Sequence, residues 1–280
     1  MTDLLLAATR VAGRWYRRAL SGVVNPFDSP DAARRYAEGR PDDHHAVVLA
    51  EVASLLAGVL PLDRALDVGC GTGLSTRAMN SLARRVVGVD VSEFMIREAR
   101  TRARAACAVA KAEELPIAQE SVDLIVASAA FHWFDQRSFL REARRIARPN
   151  AWLVVYDNGF QGHVEGVEDL RRWHLEQYLP AFPSPPRRSS FSPWLAARSG
   201  FIQQHTQRYE NRIALDAEGL VRFLLTQSNV IAAIDRHEGT IDEIADRLRR
   251  ELQPFFEING NAAQRTCIFG GPLWIASRDR

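Results

Sequence analysis

The sequence predicts a doubly wound α/β fold, with helices on both faces of a mostly parallel sheet. Three observations carry that expectation. A short apolar run, Ala65 to Val68, breaks into glycines at alternate positions, Gly69, Gly71 and Gly73, and a helical pattern begins at once with Leu74. This is a strand, a tight turn and a helix start. A second apolar run, Val86 to Val89, ends in Asp90; an acidic residue about 20 positions past a glycine loop can take ribose hydroxyls. Apolar runs of strand length then alternate with helical patterns as far as Tyr156, as a sheet with crossover helices requires. This part of the chain is built to hold a nucleoside.

The glycine spacing decides which nucleoside. A dinucleotide loop uses G-x-G-x-x-G and sets a pyrophosphate on the helix N-terminus. Here that third position is Leu74, and Asp67 sits inside the motif. A carboxylate repels a pyrophosphate and attracts an ammonium or sulfonium. The stretch Asp67 to Gly73, D-V-G-C-G-T-G, resembles the loop of class I S-adenosylmethionine (SAM) methyltransferases. The resemblance implies a Rossmann-like fold with a doubly wound, seven-stranded, mostly parallel sheet and a helical cap or lid insertion. It also implies cofactor contacts from Gly69, Gly71, Thr72 and Gly73, with Asp90 and Val91 at the ribose. Asp67 is expected at the amino-acid end of SAM, directly or through water.

In chain order, residues 1–22 read as a helix with Leu4, Ala8, Val11 and Trp15 on one face and Arg10, Arg14 and Arg17 beside it. Such a basic amphipathic helix packs on its own domain or touches a membrane surface. Residues 25–30 form a turn-rich break. In the segment Asp31 to Pro41, Tyr36 and Arg40 match an aromatic-x-x-x-Arg-Pro pattern that closes over SAM in many small-molecule methyltransferases, and an arginine fork suits a carboxylate. A helix is expected from 43 to about 60. The core then runs strand 64–68, helix 74–83, strand 85–89, a helix capped by Ser92, strand 106–110 and strand 122–128. A helix capped by Asp135 and strand 151–156 complete it. Asn150 stands where a glycine usually precedes the last of these strands; Asn tolerates the left-handed backbone that the turn needs.

Two further segments carry the resemblance. In K-A-E-E-L-P (111–116), Ala112 and Glu113 match positions that frame the adenine, although Lys111 replaces the commoner acid. Directly after the fourth strand, A-S-A-A-F-H-W-F-D (127–135) contains Ser128, a further expected cofactor contact, and an F-H-W-F core. That core resembles small-molecule methyltransferases of the trans-aconitate-methyltransferase-like group. It implies that Trp133 lies along the sulfonium, where a cation–π contact is worth roughly 0.5–2 kcal/mol. His132 is the candidate base for a hydroxyl nucleophile, or a packed residue in an aromatic cluster; a carboxylate acceptor would need no base.

Residues 158–200 show no strand alternation, and 179–194 is a Pro-rich loop, expected to be part of a lid in which Arg187 and Arg188 could meet an anionic acceptor. A strand at 201–212, helices at 216–226 and 240–256 and a strand at 266–277 are expected to end the sheet as an antiparallel hairpin. The expected organisation is therefore an N-terminal helix (1–26), a SAM-binding core (27–157) and an acceptor-binding remainder (158–280).

Composition sets limits on partners. Of 280 residues, 46% are hydrophobic and 25% charged, with net charge +2, which argues against a dedicated nucleic-acid surface. Lys111 is the sole lysine, so 35 of 36 basic residues are arginine. Cys70, Cys107 and Cys267 are too scattered for a disulfide framework or a metal motif, so no metal and a cytoplasmic setting are expected. No apolar run approaches the roughly 18 residues of a membrane span. The expected function is SAM-dependent methylation of a small molecule, yielding S-adenosylhomocysteine, with transfer to a carboxylate or hydroxyl oxygen favoured. The expected protein is a monomer or homodimer. The alternatives are a SAM-binding partner subunit without transferase activity and, against Leu74 and Asp67, a nicotinamide oxidoreductase.

Overall fold

Each apolar run becomes a strand, and the intervening patterns become helices in the expected order. The computed structural model describes residues 25, 27–184 and 191–279. The helix expected over 1–22 and the pair Arg187–Arg188 lie outside the described residues. Helices α1 (Pro30–Gly39) and α2 (Ala46–Leu55) precede β1 (Leu62–Val68), α3 (Leu74–Ala78), β2 (Ala83–Asp90) and α4 (Glu93–Thr101). Then come β3 (Cys107–Val109), β4 (Val122–Ser128), α5 (Gln136–Ile146), β5 (Ala147–Tyr156), β6 (Gly159–Val164) and α6 (Glu168–Trp173). The chain ends with α7 (Pro193–Arg198), β7 (Phe201–Leu215), α8 (Ala217–Leu224), α9 (Ser228–Asp235), α10 (Ile241–Leu252), the small hairpin β8 (Glu257–Ile258) and β9 (Asn261–Ala262), and β10 (Arg265–Arg278).

Strands β3, β2, β1, β4 and β5 lie parallel in that order, and β10 runs antiparallel beside β5. Strand β7 pairs with the other edge of β10 from Arg265↔Leu215 to Arg278↔Phe201. This is the Rossmann-like class I architecture with the expected closing hairpin. Alternate residues of β4 face opposite layers: Ile125 and Ala127 pack with Phe139, Leu140 and Ile146 of α5, while Leu124 and Val126 pack with Val48, Leu49 and Val52 of α2. That is the burial of a sheet covered on both faces. A separate apolar cluster joins Cys267 and Phe269 of β10 to Phe223, Leu224 and Leu248 of α8 and α10. The caps fall where expected: Ser92 Oγ accepts from Met95 N at 3.4 Å and Asp135 Oδ1 from Ser138 N at 2.8 Å.

Two expectations need correction. Residues 159–164 form a strand, β6, so the sheet has eight strands rather than seven. The segment G-F-Q-G-H-V lies in the stretch 158–200 that shows no strand alternation in the sequence. The long β10 has edge to spare beyond β5, which occupies only Leu273 to Ser277, and β6 takes Cys267 to Gly270. The bulge opposite Ile268/Phe269 absorbs Gly162, whose φ is +68°. Likewise β5 begins at Ala147 rather than 151, because a bulge takes up the Arg148–Asn150 turn; Asn150 has φ +64°, the left-handed role assigned to it from sequence.

Candidate active site

The carboxyl ends of β1, β2, β4 and β5 open into a single cleft of about 790 Å³, the place where doubly wound sheets bind ligands. Gly69, Gly71 and Gly73 have φ of +72°, +53° and +81°, which a side chain disfavours. Their surroundings differ. A Cβ on Gly69 would lie 2.5 Å from Ala130 Cβ, and one on Gly73 would lie 3.0 Å from the Cβ atoms of Ala99 and Ala105. Those two glycines let neighbouring segments pack. A Cβ on Gly71 would project into the cleft, with Tyr36 Cε1 at 3.9 Å its nearest neighbour. Gly71 is therefore where backbone is laid bare to a ligand.

Asp90 holds this loop. Its Oδ2 accepts from Gly71 N at 2.9 Å and its Oδ1 from Ser92 N at 2.8 Å. Burial pushes its pKa up, and the backbone bonds pull the other way. Asp67 is placed differently. It is fully buried beneath the loop, where Oδ2 accepts from Ser75 Oγ at 2.6 Å and Thr76 Oγ1 at 2.7 Å. Burial pushes its pKa up to about 6 against those two hydroxyls. Asp67, Thr72 and Gly73 are not in the cleft wall. A direct contact from Asp67 to a cofactor is thus not supported by its position: its carboxylate is turned to the start of α3, which it ties to β1.

The other expected residues converge. Tyr36, Arg40, Gly69, Gly71, Asp90, Val91, Ala112, Glu113, Ser128, His132 and Trp133 all line the cleft. Arg40 stacks with its guanidinium carbon 4.4 Å from the ring centres of both Tyr36 and Phe223. Phe27 meets Tyr36 and Trp133 edge-on at 5.6 and 6.2 Å, which makes an aromatic rim. Glu113 has a structural task as well, since its Oε1 accepts from Asp135 N at 2.7 Å. His132 and Trp133 share the turn Phe131–Trp133 after β4. His132 Nδ1 lies 3.6 Å from Asp157 Oδ1.

Asp157, Asn158, Gln161, Arg208 and the strip Gly270–Pro272 also line the cleft and were not singled out from sequence. The position of Asp157 and Asn158, just past the carboxyl end of an expected strand, was the available signal. A buried polar network fixes this corner. His44 Nε2 donates to Asn158 O at 3.0 Å, Asn158 Nδ2 and Asn211 Nδ2 both donate to His44 O, and Tyr209 OH donates to Asp157 O at 2.9 Å. His45 Nδ1 lies 2.9 Å from Tyr156 OH. Burial holds His44 well below its ordinary pKa and pushes His45 down to about 3. Both imidazoles are neutral struts at pH 7.

The sequence of this sheet and loop matches one family model, described as a methyltransferase domain, over residues 66–155. Over those residues the chain carries a methyltransferase domain, and its sheet has the class I SAM-dependent methyltransferase architecture. The chain is 33% identical over 190 residues to a malonyl-[acyl-carrier protein] O-methyltransferase of Alcanivorax borkumensis, covering 63% of this chain and 61% of that protein. It is 32% identical over 128 residues to the O-methyltransferase resE of Aspergillus sclerotiorum, covering 42% and 48%. The chain spans less than half the length of the Dictyostelium and fission-yeast methyltransferase relatives it matches. Among solved structures, a protein of Anaeromyxobacter dehalogenans described as a type II methyltransferase is 26% identical with TM-score 0.58, over 92% of this chain and 98% of that one. A Haemonchus contortus phosphoethanolamine N-methyltransferase in complex with S-adenosyl-L-methionine shares the fold at 16% identity and TM-score 0.51, over 92% of this chain and 61% of that one. Among the described residues no helix is long and apolar enough to cross a membrane.

Proposed function

We propose that the protein transfers a methyl group from SAM to a hydroxyl oxygen of a small-molecule acceptor. The observation that carries this reading is one cleft with two chemically different ends. Bare Gly71 backbone and the Asp90 carboxylate stand at one, and His132 beside Asp157 at the other. The residues fit the cofactor: Gly71 leaves room for close approach, and each Asp90 oxygen, though bonded to a loop amide, keeps a lone pair for ribose hydroxyls. Val91, Ala112, Glu113 and Ser128 would line the nucleoside, and Tyr36 and Arg40 would close over the amino-acid end. When bound, SAM supplies a methyl on a sulfonium, which leaves as a neutral thioether.

The chain's own contribution is positioning, exclusion of water and handling of a proton. Trp133 and the aromatic rim present ring faces and edges that suit a cation. His132 accepts the hydroxyl proton as the oxygen–carbon bond forms, and Asp157 stabilises the resulting imidazolium. The same pair disfavours a carboxylate nucleophile, which would carry no proton to lose and would meet the charge of Asp157. Both O-methyltransferase relatives accord with an oxygen acceptor, and the three free, buried cysteines accord with a reducing cytoplasm.

The test is methyl-labelled SAM incubated with the protein and a small-molecule extract, followed by alkali. Methyl ethers survive alkali and methyl esters do not. Alkali-stable label released as methyl iodide by hot hydriodic acid supports the hydroxyl reading, alkali-labile label moves the reaction to a carboxylate, stable label not so released moves it to nitrogen or carbon, and no label in any acceptor removes the transferase proposal.

A further inference from the structure

The methyltransferase cleft extends past His132 to the outer strands of the sheet, and its far wall is chemically distinct. Arg208 on β7 stands opposite Pro272 of β10, next to Gly271 and Gly270. This strip carries no long side chain, so the exposed Arg208 can reach across β10 to β6, where it donates to Gln161 Oε1 at 3.3 Å. The Gln161 amide is fixed in that sense, because its Nε2 donates to Gly159 O at 2.9 Å and Gly270 O at 2.8 Å. Arg208 is therefore pinned by a neutral acceptor.

Charge pairing sets Arg208 apart from its neighbours. Arg212, on the same face four residues along, pairs with Glu165; elsewhere in the fold Arg148 pairs with Asp123 at 3.0 Å and Arg249 with Glu218 at 2.8 Å. Among the described residues, no carboxylate pairs with Arg208. A guanidinium that is held in place, lines a cleft and lacks a counter-charge is a fork for an oxyanion.

We propose that Arg208, oriented by Gln161, binds an anionic group of the acceptor, a carboxylate or a phosphate, and so selects acidic substrates. This rests on the methyltransferase reading given above and adds the substrate class. The sheet sets the spacing. Asp157 N donates to Pro272 O at 3.1 Å, and Pro272 sits opposite Arg208. Two strand separations, about 10 Å, thus divide the backbone of Asp157 from that of Arg208. Asp157 repels an anion from the end where the proton is removed and Arg208 attracts it at the other. The acid group is a handle that is read and left unmethylated, while a hydroxyl on the same molecule faces His132.

The test uses benzoate, phenyl phosphate and the neutral isostere benzamide as probes, titrated into the full chain with and without saturating SAM and followed by ligand-observed NMR. The parent is expected to bind an anion more tightly than benzamide. Arg208→Gln is expected to weaken the anion by about tenfold or more while leaving benzamide and SAM unchanged, and Arg208→Lys is expected to restore part of the loss. Preference for phenyl phosphate assigns a phosphate handle, preference for benzoate a carboxylate. Equal binding of benzoate, phenyl phosphate and benzamide by the parent would overturn the proposal, as would an Arg208→Gln variant whose anion affinity stays within about twofold of the parent. Absence of SAM binding would instead count against the cofactor reading, since the anion titration without SAM still reports on Arg208.

Discussion

Replacing Asp90 by alanine separates the loop's own order from its grip on a cofactor. In the folded chain the carboxylate accepts from Gly71 N and Ser92 N, so its removal leaves two half-buried N–H groups without their acceptor. Each hydrogen bond to a charged group is worth about 1.5–3 kcal/mol, and an amide that recovers a water partner loses only part of that. A stability loss of about 1–3 kcal/mol is expected, read as a shift of the urea midpoint at unchanged slope. The affinity for SAM should fall by a further hydrogen-bond increment, about 1.5–3 kcal/mol, or roughly 10- to 150-fold. Calorimetry measures that directly, and Asp90→Asn should lie between the variant and the parent. If Asp90→Ala, shown to be folded, binds SAM within about twofold of the parent, the ribose role assigned to Asp90 is wrong. The cofactor would then be held elsewhere.

Other outcomes follow from the same geometry. His132→Ala should lower kcat by about 10²–10⁴-fold with the Kd for SAM unchanged; an equal loss in SAM affinity would make His132 a packing residue. Gly69→Ala forces a side chain into a left-handed backbone position 2.5 Å from Ala130 Cβ, and should cost about 1–3 kcal/mol of stability by thermal unfolding. The buried imidazoles make the fold acid-sensitive. With the folded pKa of His45 at about 3 and an unfolded value near 6.5, the unfolded chain binds the extra proton between those limits. Stability is therefore lost as pH falls below 6.5, by about 2 kcal/mol at pH 5 for His45. Asp67 opposes this, because its folded pKa of about 6 makes the folded chain the better proton binder between about 4 and 6. That offsets only about 1 kcal/mol over pH 5 to 7.5. Comparing His45→Gln with the parent at pH 7.5 and 5 isolates the histidine: the parent should lose about 2 kcal/mol more, and parallel losses would refute the account.

The glycine-loop end of the cleft was legible because its residues are local. Gly69, Gly71 and Asp90 lie within two strands and a turn, and the backbone conformations they require are written into residue type: glycine where φ is positive, an acid at the end of an apolar run. Ser92 and Asp135 announced their helices by the same short-range logic, as did Asn150 in its turn. Asp67 shows the limit of this reading. Its presence in the motif was plain, yet whether its carboxylate faced the ligand or the hydroxyls of Ser75 and Thr76 depended on how α3 seats against β1.

Beyond His132 and Trp133 the opposite end was not legible, because none of the rest is local. Asp157, Gln161, Arg208 and Gly270 come from four segments that meet only when β5 and β6 share one edge of β10 and β7 takes the other. The glycines of β6 suppress its strand signal, and pairing along an edge more than a hundred residues away supplies the hydrogen bonds that restore it. The sequence by itself thus determined the doubly wound core and the glycine loop, where propensity and spacing act within a few residues. Only the tertiary structure decided that Arg208 faces the cleft with a neutral amide rather than a carboxylate beside it, because charge pairing on a sheet surface is settled by strand register, and register is set by contacts that span the whole chain.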